Sequence, residues 1–280
     1  MNDTADPPSR DFATTLSALL TTNSFGKPLR FFSTIDSTNI YAARLAREGV
    51  SEGAAVIADE QTGGKGRLGR SWVSPPGVNL YLSLLLRPTV AASVAPQLNL
   101  LAAVAVAEAI IEVCRLTPAI KWPNDVLIDG KKVCGILAEM QTEGTALRSV
   151  VLGIGVNINA PLSAFPPELH EKASSLLLVS GKAVNRAAFA AALLTHLEKL
   201  YVLWIEQGFP ALRSAWEHHA SGLLGKKISV AAPEGIVSGI VLGLDTDGAL
   251  LLHEEQTGTQ RRVLAGDVTV VGGYARGEQP

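Results

Sequence analysis

Apolar positions along the chain fall into two textures, and their succession predicts the elements. Short dense runs at Leu29-Arg30-Phe31-Phe32, Ala54 to Ala58, Asn79 to Leu86, Ile120 to Ile128, Lys132 to Met140 and Leu147 to Asn159 read as strands. Helical spacing predicts helices over Phe12 to Leu20, Ile40 to Arg47, Gln97 to Val113, Asn185 to Glu206 and Pro210 to His219. Past Gly222 the texture changes to short alternating runs at Lys227 to Ala231, Gly235 to Leu244, Ala249 to His253 and Arg261 to Val271. That spacing predicts a small all-β barrel.

The punctuation between runs refines this. Asp129-Gly130 is a hairpin signal, and Pro123 between two apolar pieces predicts a bulge or bend. Asp36-Ser37-Thr38-Asn39 supplies helix-capping side chains ahead of Ile40. Strands follow strands without intervening helices between 120 and 159, which indicates an α+β fold with a mixed or antiparallel sheet and packed helices. The expected organisation is an N-terminal arm over 1–28, a main domain over 29–221 and a C-terminal barrel over 222–275.

The segment from Gln61 to Trp72 stands out: Gln-Thr-Gly-Gly-Lys-Gly-Arg-Leu-Gly-Arg-Ser-Trp. Glycines let backbone amides approach an anion and the cations supply charge. Gly64, Gly66 and Gly69 match G-x-G-x-x-G, but the dinucleotide-binding version opens a helix, and Val73-Ser74-Pro75-Pro76-Gly77 cannot. A P-loop requires Ser or Thr after Gly-Lys, and here Gly66 follows Lys65.

Composition narrows the classes. At 280 residues and 47% hydrophobic, the chain holds enough apolar residues for a substantial core. A formal charge of −2 lacks the basic surplus of a dedicated nucleic-acid binder. Cys114 and Cys134 provide neither a disulfide framework nor a zinc cluster and are expected to be core residues. No uninterrupted apolar run suits a membrane span, and the N-terminus lacks signal-peptide texture, so a cytoplasmic, membrane-free protein is expected.

The five histidines (His170, His196, His218, His219 and His253) are scattered and expected at the surface, which disfavours a histidine-activated nucleophile. A site of glycine amides, cations and one carboxylate suits phosphate-centred chemistry, where positioning and charge stabilisation dominate. Lys121 and Asp125, in Lys121-Trp122-Pro123-Asn124-Asp125, are candidates for it. The pattern alone leaves open whether they are a surface lysine and a turn aspartate.

Five stretches in this order resemble the biotin protein ligases: Ser37-Thr38-Asn39, Gln61 to Trp72, Lys121 to Asp125, Lys132-Val133-Cys134-Gly135-Ile136-Leu137-Ala138-Glu139, and Gly153-Ile154-Gly155-Val156-Asn157-Ile158-Asn159. The resemblance covers about residues 30 to 273. It implies the class II synthetase-like biotin/lipoate ligase fold with an SH3-like C-terminal barrel. It also implies a two-step reaction, in which biotin and ATP, with Mg²⁺, give biotinyl-5′-adenylate, and a lysine of a biotin carboxyl carrier domain then takes the biotin. By the same resemblance Ser37, Thr38, Asn39 and Gln61 bind biotin's ring, while Lys65, Gly66, Arg67 and Lys121 meet its carboxylate end. Gly64, Lys65, Arg67, Arg70, Trp72, Asn124 and Asn157 are assigned to the adenylate, Lys121 and Arg67 to catalysis, and Asp125 to any metal. The loop 62–71 is expected to be mobile when empty and ordered when filled.

Three departures qualify the match. Lys65 stands where many members have Arg, which keeps the charge but not a planar two-point contact. Cys134 replaces a frequent Ala. Fewer than thirty residues precede the ligase-like region, so a ligase without DNA binding, monomeric or weakly dimeric, is expected. Two alternatives remain: a lipoate or octanoate ligase or transferase, for which Cys134 beside Lys132 is the candidate nucleophile, and a non-catalytic biotin sensor.

Overall fold

The computed structural model describes residues 7–220, 222–233, 235–255 and 257–271. A seven-stranded sheet is built from β1 (Leu29–Ile35), β2 (Ala55–Gln61), β3 (Leu80–Leu86), β4 (Ala119–Lys121), β5 (Asp125–Ile128), β6 (Lys131–Glu143) and β7 (Ala146–Val156). Its order is β1-β2-β3-β7-β6-β5-β4. β1 and β2 run parallel, joined by the crossover helix α2 (Thr38–Arg47), and the other pairs are antiparallel. This is the α+β architecture that the strand succession predicts.

β3 reads as an apolar run interrupted only by Ser83 because both its faces are covered. Leu80, Leu82, Leu84 and Leu86 enter the main core, whereas Leu85 packs with Ala46 and Ala54 beneath α2. The main core is closed by α3 (Gln97–Cys114), the short α4 (Leu176–Ser180) and α5 (Arg186–Gln207). Two helical stretches, Ala92–Cys114 and Arg186–Gln207, are long and apolar enough to cross a membrane by length and composition. Both bury much of that apolar surface within this fold, 72% and 44% of the respective windows.

The bend expected at Pro123 is a hairpin turn, with Lys121 paired with Asp125 across β4 and β5. Two local expectations are corrected. The N-terminal stretch is in contact with the main domain, since α1 (Pro7–Leu19) and the turn after it place Phe12, Leu16 and Phe25 in the core. His219, at the end of α6 (Pro210–His219), is buried rather than at the surface, with its ring 3.0 Å from Glu108 on α3.

Residues beyond α6 form a second antiparallel sheet: β8 (Lys227–Ala232), β9 (Gly235–Leu244), β10 (Leu250–Glu254), β11 (Thr259–Val263) and β12 (Asp267–Val270), in order β11-β10-β9-β8-β12. Alternate residues such as Ile228, Val230, Leu250, Leu252 and Val268 face its core. It is seated on the main domain through the turn before β10. Gly248 (φ +86) lies so close to Leu100 that a Cβ there would come within 2.7 Å, and its carbonyl accepts from the Trp122 indole at 3.4 Å. Gln97 Nε2 donates to Asp247 O at 3.0 Å.

Candidate active site

The site lies on the α2 side of the large sheet, over a strip without side chains. Gly135 on β6 is directly opposite Gly155 on β7, and Gly153 is two residues along the same strand. The space that Gly153 and Gly155 leave is filled by two side chains. A Cβ on Gly155 would sit 2.6 Å from the Trp72 indole, and one on Gly153 would sit 2.3 Å from Asn39 Oδ1.

At one end of this trough the first turn of α2 supplies uncharged polar groups. Ser37 is the N-cap residue, yet its side chain makes no capping bond. Thr38 and Asn39, both buried, are turned inward rather than used as caps. Gln61 Oε1 accepts from Thr38 N at 2.9 Å and from Thr38 Oγ1 at 3.0 Å. Asn39 Nδ2 donates to Glu139 Oε2 at 2.6 Å. Tyr81 closes the wall, its hydroxyl donating to Pro75 O at 2.9 Å; burial pushes its pKa up, so it stays a neutral donor.

The glycine–cation loop folds over the trough without opening a helix, as its sequence requires. Trp72 N donates to Gly64 O at 2.9 Å and Gly66 N to Arg70 O at 2.7 Å, closing a narrow hairpin. Gly64 is needed there, because a Cβ would lie 2.6 Å from Trp72 O. The tip residue Leu68 takes a left-handed conformation (φ 56) and is exposed. Lys65, Gly66, Arg67 and Trp72 line the trough, while Arg70 faces an adjoining cleft. Arg67 is aimed by Asn124, whose Oδ1 accepts from Nη1 at 2.9 Å and whose Nδ2 donates to Ile136 O at 2.8 Å.

Besides Lys65 on the loop, the lysine that reaches the trough is Lys132 on β6; Lys121 does not line it. Lys132 Nζ is 2.6 Å from Asp125 Oδ1 and 5.4 Å from the centroid of the Trp72 ring, at the junction of trough and cleft. Lys121 lines only the cleft. Strict alternation along β6 would put Lys132 on the core side with Cys134 and Ile136. The β5–β6 register shifts there, Val126 opposite Cys134 and Leu127 opposite Lys132, and the extra residue swings Lys132 towards the site. Its signal in sequence is its place at the head of the stretch Lys132 to Glu139.

The trough encloses about 50 Å³ and opens into a cleft of about 630 Å³ between the two sheets. The cleft is walled by Arg67, Arg70, Lys121, Lys132 and Lys172 against Asp125, Glu171 and Asp267, a surplus of cations. Phe165, Leu169 and Ala173 add an apolar patch beside Asn157. Asn157 itself donates to Ser174 O at 3.0 Å. Cys134 is fully buried and its thiol pKa is pushed up by burial, so it offers no nucleophile. Among the described residues no three His, Cys, Asp or Glu side chains gather as a metal site. Asp125 and Asp267 are both paired with cations.

The chain resembles known proteins in sequence and fold. The biotin/lipoate A/B protein ligase family model matches residues 31–157, and the model for the biotin protein ligase C-terminal domain matches 223–271. The bifunctional ligase/repressor BirA of Bacillus subtilis is 40% identical over 237 residues, covering 85% of this chain and 73% of its own length. The biotin–[acetyl-CoA-carboxylase] ligase of Paracoccus denitrificans is 40% identical over 227 residues, covering 78% of this chain and 91% of the relative. The structure of the Aquifex aeolicus biotin protein ligase in complex with biotin and ATP superposes with a TM-score of 0.76 at 31% identity, covering 88% of this chain and 99% of that one. On sequence, both domain models and the fold, the chain belongs to the biotin protein ligase family.

Proposed function

We propose that this protein joins biotin to a carrier lysine at the expense of ATP, through a biotinyl-5′-adenylate. One observation carries the reading: a single glycine-floored trough has neutral hydrogen-bonding groups at one end, Thr38 and Gln61, and cations at the other, Lys132 and Arg67. That polarity matches a ligand with a neutral cyclic urea at one end and a carboxylate at the other.

In the first step a biotin carboxylate oxygen forms a bond to the α-phosphorus of ATP, and the bond to the pyrophosphate oxygen breaks. Charge builds on the phosphoryl oxygens, where Lys132 and Arg67 stabilise it, and no protein nucleophile is required. In the second step the neutral amine of the carrier lysine attacks the acyl carbon and AMP leaves. The cations of the cleft face the nucleotide's phosphates, and the patch at Phe165, Leu169 and Ala173 suits its base. The trough has room for only a few water molecules. Ligand entry therefore requires the loop bearing Trp72 to shift, and its return excludes water from a hydrolysable anhydride.

Mg²⁺ commonly arrives on nucleotide phosphates with one or two protein carboxylates. Asp125 is placed for that role once Lys132 turns to phosphate, and among the described residues no cluster of metal-ligating side chains builds a site for the free ion. The intended partner is a biotin carboxyl carrier domain, the protein acting in the cytoplasm as a monomer or weak homodimer without DNA or membrane. The buried, neutral Cys134 disfavours a thiol-dependent acyl transferase, and the cationic end of the trough disfavours a sensor without turnover.

Pyrophosphate exchange into ATP, run with biotin, lipoate and octanoate, tests the reading. Exchange is expected with biotin alone. It should fall roughly a hundredfold or more in Lys132→Ala, the scale of removing one charge-stabilising group, and less in Lys121→Ala. Exchange driven by lipoate, or none with any acid, would overturn it.

A further inference from the structure

Ser83 sits in the middle of a strand that is otherwise apolar apart from the Tyr81 hydroxyl, and it is completely buried. It does not line the trough. Its Oγ lies 2.8 Å from Thr38 Oγ1 and 2.5 Å from Asn39 Oδ1. A buried hydroxyl in such surroundings costs stability unless it is bonded, and here it is bonded to two residues that do line the trough. The geometry points to Ser83 as a positioning residue that sets the direction of the Thr38 hydroxyl, so that Thr38 offers the ligand a lone pair rather than a proton. This rests on the proposed reading of the trough as the biotin site.

The proton accounting runs outward from the protein surface. Glu139 Oε2 accepts from Asn39 Nδ2 at 2.6 Å, which turns the Asn39 carbonyl oxygen towards Ser83. An amide oxygen only accepts, so Ser83 must be the donor. Ser83's single proton is therefore committed to Asn39 Oδ1, and its lone pair is left for the Thr38 hydroxyl. The Thr38 hydroxyl in turn has two protein acceptors within reach, Gln61 Oε1 at 3.0 Å and Ser83 Oγ. Its proton is thus held inside the network, whichever it chooses, and what remains towards the trough is a lone pair.

Gln61 completes the pattern. Its Oε1 accepts from Thr38 N and lies within reach of the Thr38 hydroxyl, and its Nε2 is left to serve Ser74 Oγ at 3.3 Å and a ligand. The floor thereby presents an acceptor next to a donor, complementary to an N–H beside a C=O. Gly153 belongs to the device as well, since it pairs with Ser83 across β3 and β7 and leaves the space that Asn39 occupies.

The test compares wild type, Ser83→Ala and Ser83→Thr in biotin-dependent pyrophosphate exchange. The substrates are biotin and the two carbamate analogues in which one ring N–H is replaced by oxygen. The alanine variant is expected to raise the KM for biotin roughly tenfold, one hydrogen bond's worth, with kcat within about twofold. It should also narrow the discrimination against the analogue whose oxygen faces Thr38. The threonine variant, which keeps the hydroxyl, should recover most of both. Ser83→Cys keeps the size of the site with a weak donor and replaces the alanine variant if that fails to fold. Unchanged KM and unchanged discrimination in a folded variant would overturn the positioning role. Absence of biotin-dependent exchange in wild type would instead overturn the functional reading beneath it.

Discussion

Arg70 Nη2 lies 2.5 Å from Oδ2 of Asp267, across 197 positions of sequence, so the C-terminal sheet holds the tip of the glycine–cation loop. Arg67 adds to the hold: Nη1 is 3.6 Å from Asp267 Oδ1, and both terminal nitrogens are 3.4 Å from Gly266 O. Arg70 is mostly exposed, so its pair is worth under about 1 kcal/mol. That still biases the loop several-fold towards the closed arrangement. Asp267→Asn is expected to speed tryptic cleavage after Arg67 and Arg70 in the ligand-free protein by about fivefold, with protection restored by biotin and ATP together. Identical cleavage rates in variant and wild type would show that the sheet does not tether the loop.

The glycine floor makes a second prediction. Gly153→Ala brings a methyl group onto Asn39, and Gly155→Ala onto Trp72, at distances that force a neighbour to move. Overpacking of this kind typically costs about 1–3 kcal/mol. Gly153→Ala should weaken biotin binding in isothermal titration far more than it lowers the melting temperature, because Asn39 can shift only at the expense of the Thr38–Ser83 network. Gly155→Ala should act mainly through a displaced Trp72, read as a change in tryptophan fluorescence.

Glu198 on α5 supplies a pH-dependent term. Its carboxylate accepts from the backbone N–H groups of Asn23, Ser24 and Phe25 at 2.7, 2.7 and 2.9 Å, and from Ser24 Oγ at 3.1 Å. Burial opposes its ionisation, but those donors together more than offset it, and the pKa is lowered. A lowered folded-state pKa means that the stabilisation is present above the unfolded carboxylate value and is lost as pH falls through the folded one. The stability gap between wild type and Glu198→Gln in urea is expected to be largest near neutral pH and to shrink on acidification below about pH 4. A gap that does not vary with pH would refute the assignment.

Arg186, at the start of α5, meets Asp59 at 2.5 Å and donates to the carbonyls of Gly77 and Asn79 at 2.7 and 2.9 Å. The pair is largely buried, with 14% and 16% of the two side chains exposed. It ties together the strand that leads into the loop and the segment that leads out of it. Arg186→Ala leaves Asp59 without its partner and should cost about 3 kcal/mol in chemical denaturation. Arg186→Ala, Asp59→Asn together should recover part of that loss. A double variant no more stable than the single one would show that the unpaired carboxylate is not the cause.

Much of this fold is legible from local pattern. The apolar run at 80–86 is buried on both faces, and the run at 97–113 becomes α3. Asp129-Gly130 makes the hairpin that its residues require, both with positive φ. The loop is legible as a non-helical anion wrap because Pro75, Pro76 and four glycines leave little else. Other features were beyond local pattern. Ser37, Thr38 and Asn39 read as capping residues until the strands beneath them are in place. His219 gave no sign in sequence of being covered by α3.

What the sequence determined by itself is therefore the set of elements, the chemistry of the loop and the order of the motifs, since propensity, period and charge act over a few residues. Which of the two sheet lysines lines the trough was decided by tertiary structure. A one-residue shift in the β5–β6 register turns Lys132 into the trough and leaves Lys121 to the cleft, and register is a property of paired strands that neither strand specifies alone. The same holds for Asp267 on Arg70 and for Ser83 behind Thr38. Each partner is ordinary in its own segment, and its function comes only from packing distant segments within hydrogen-bonding distance.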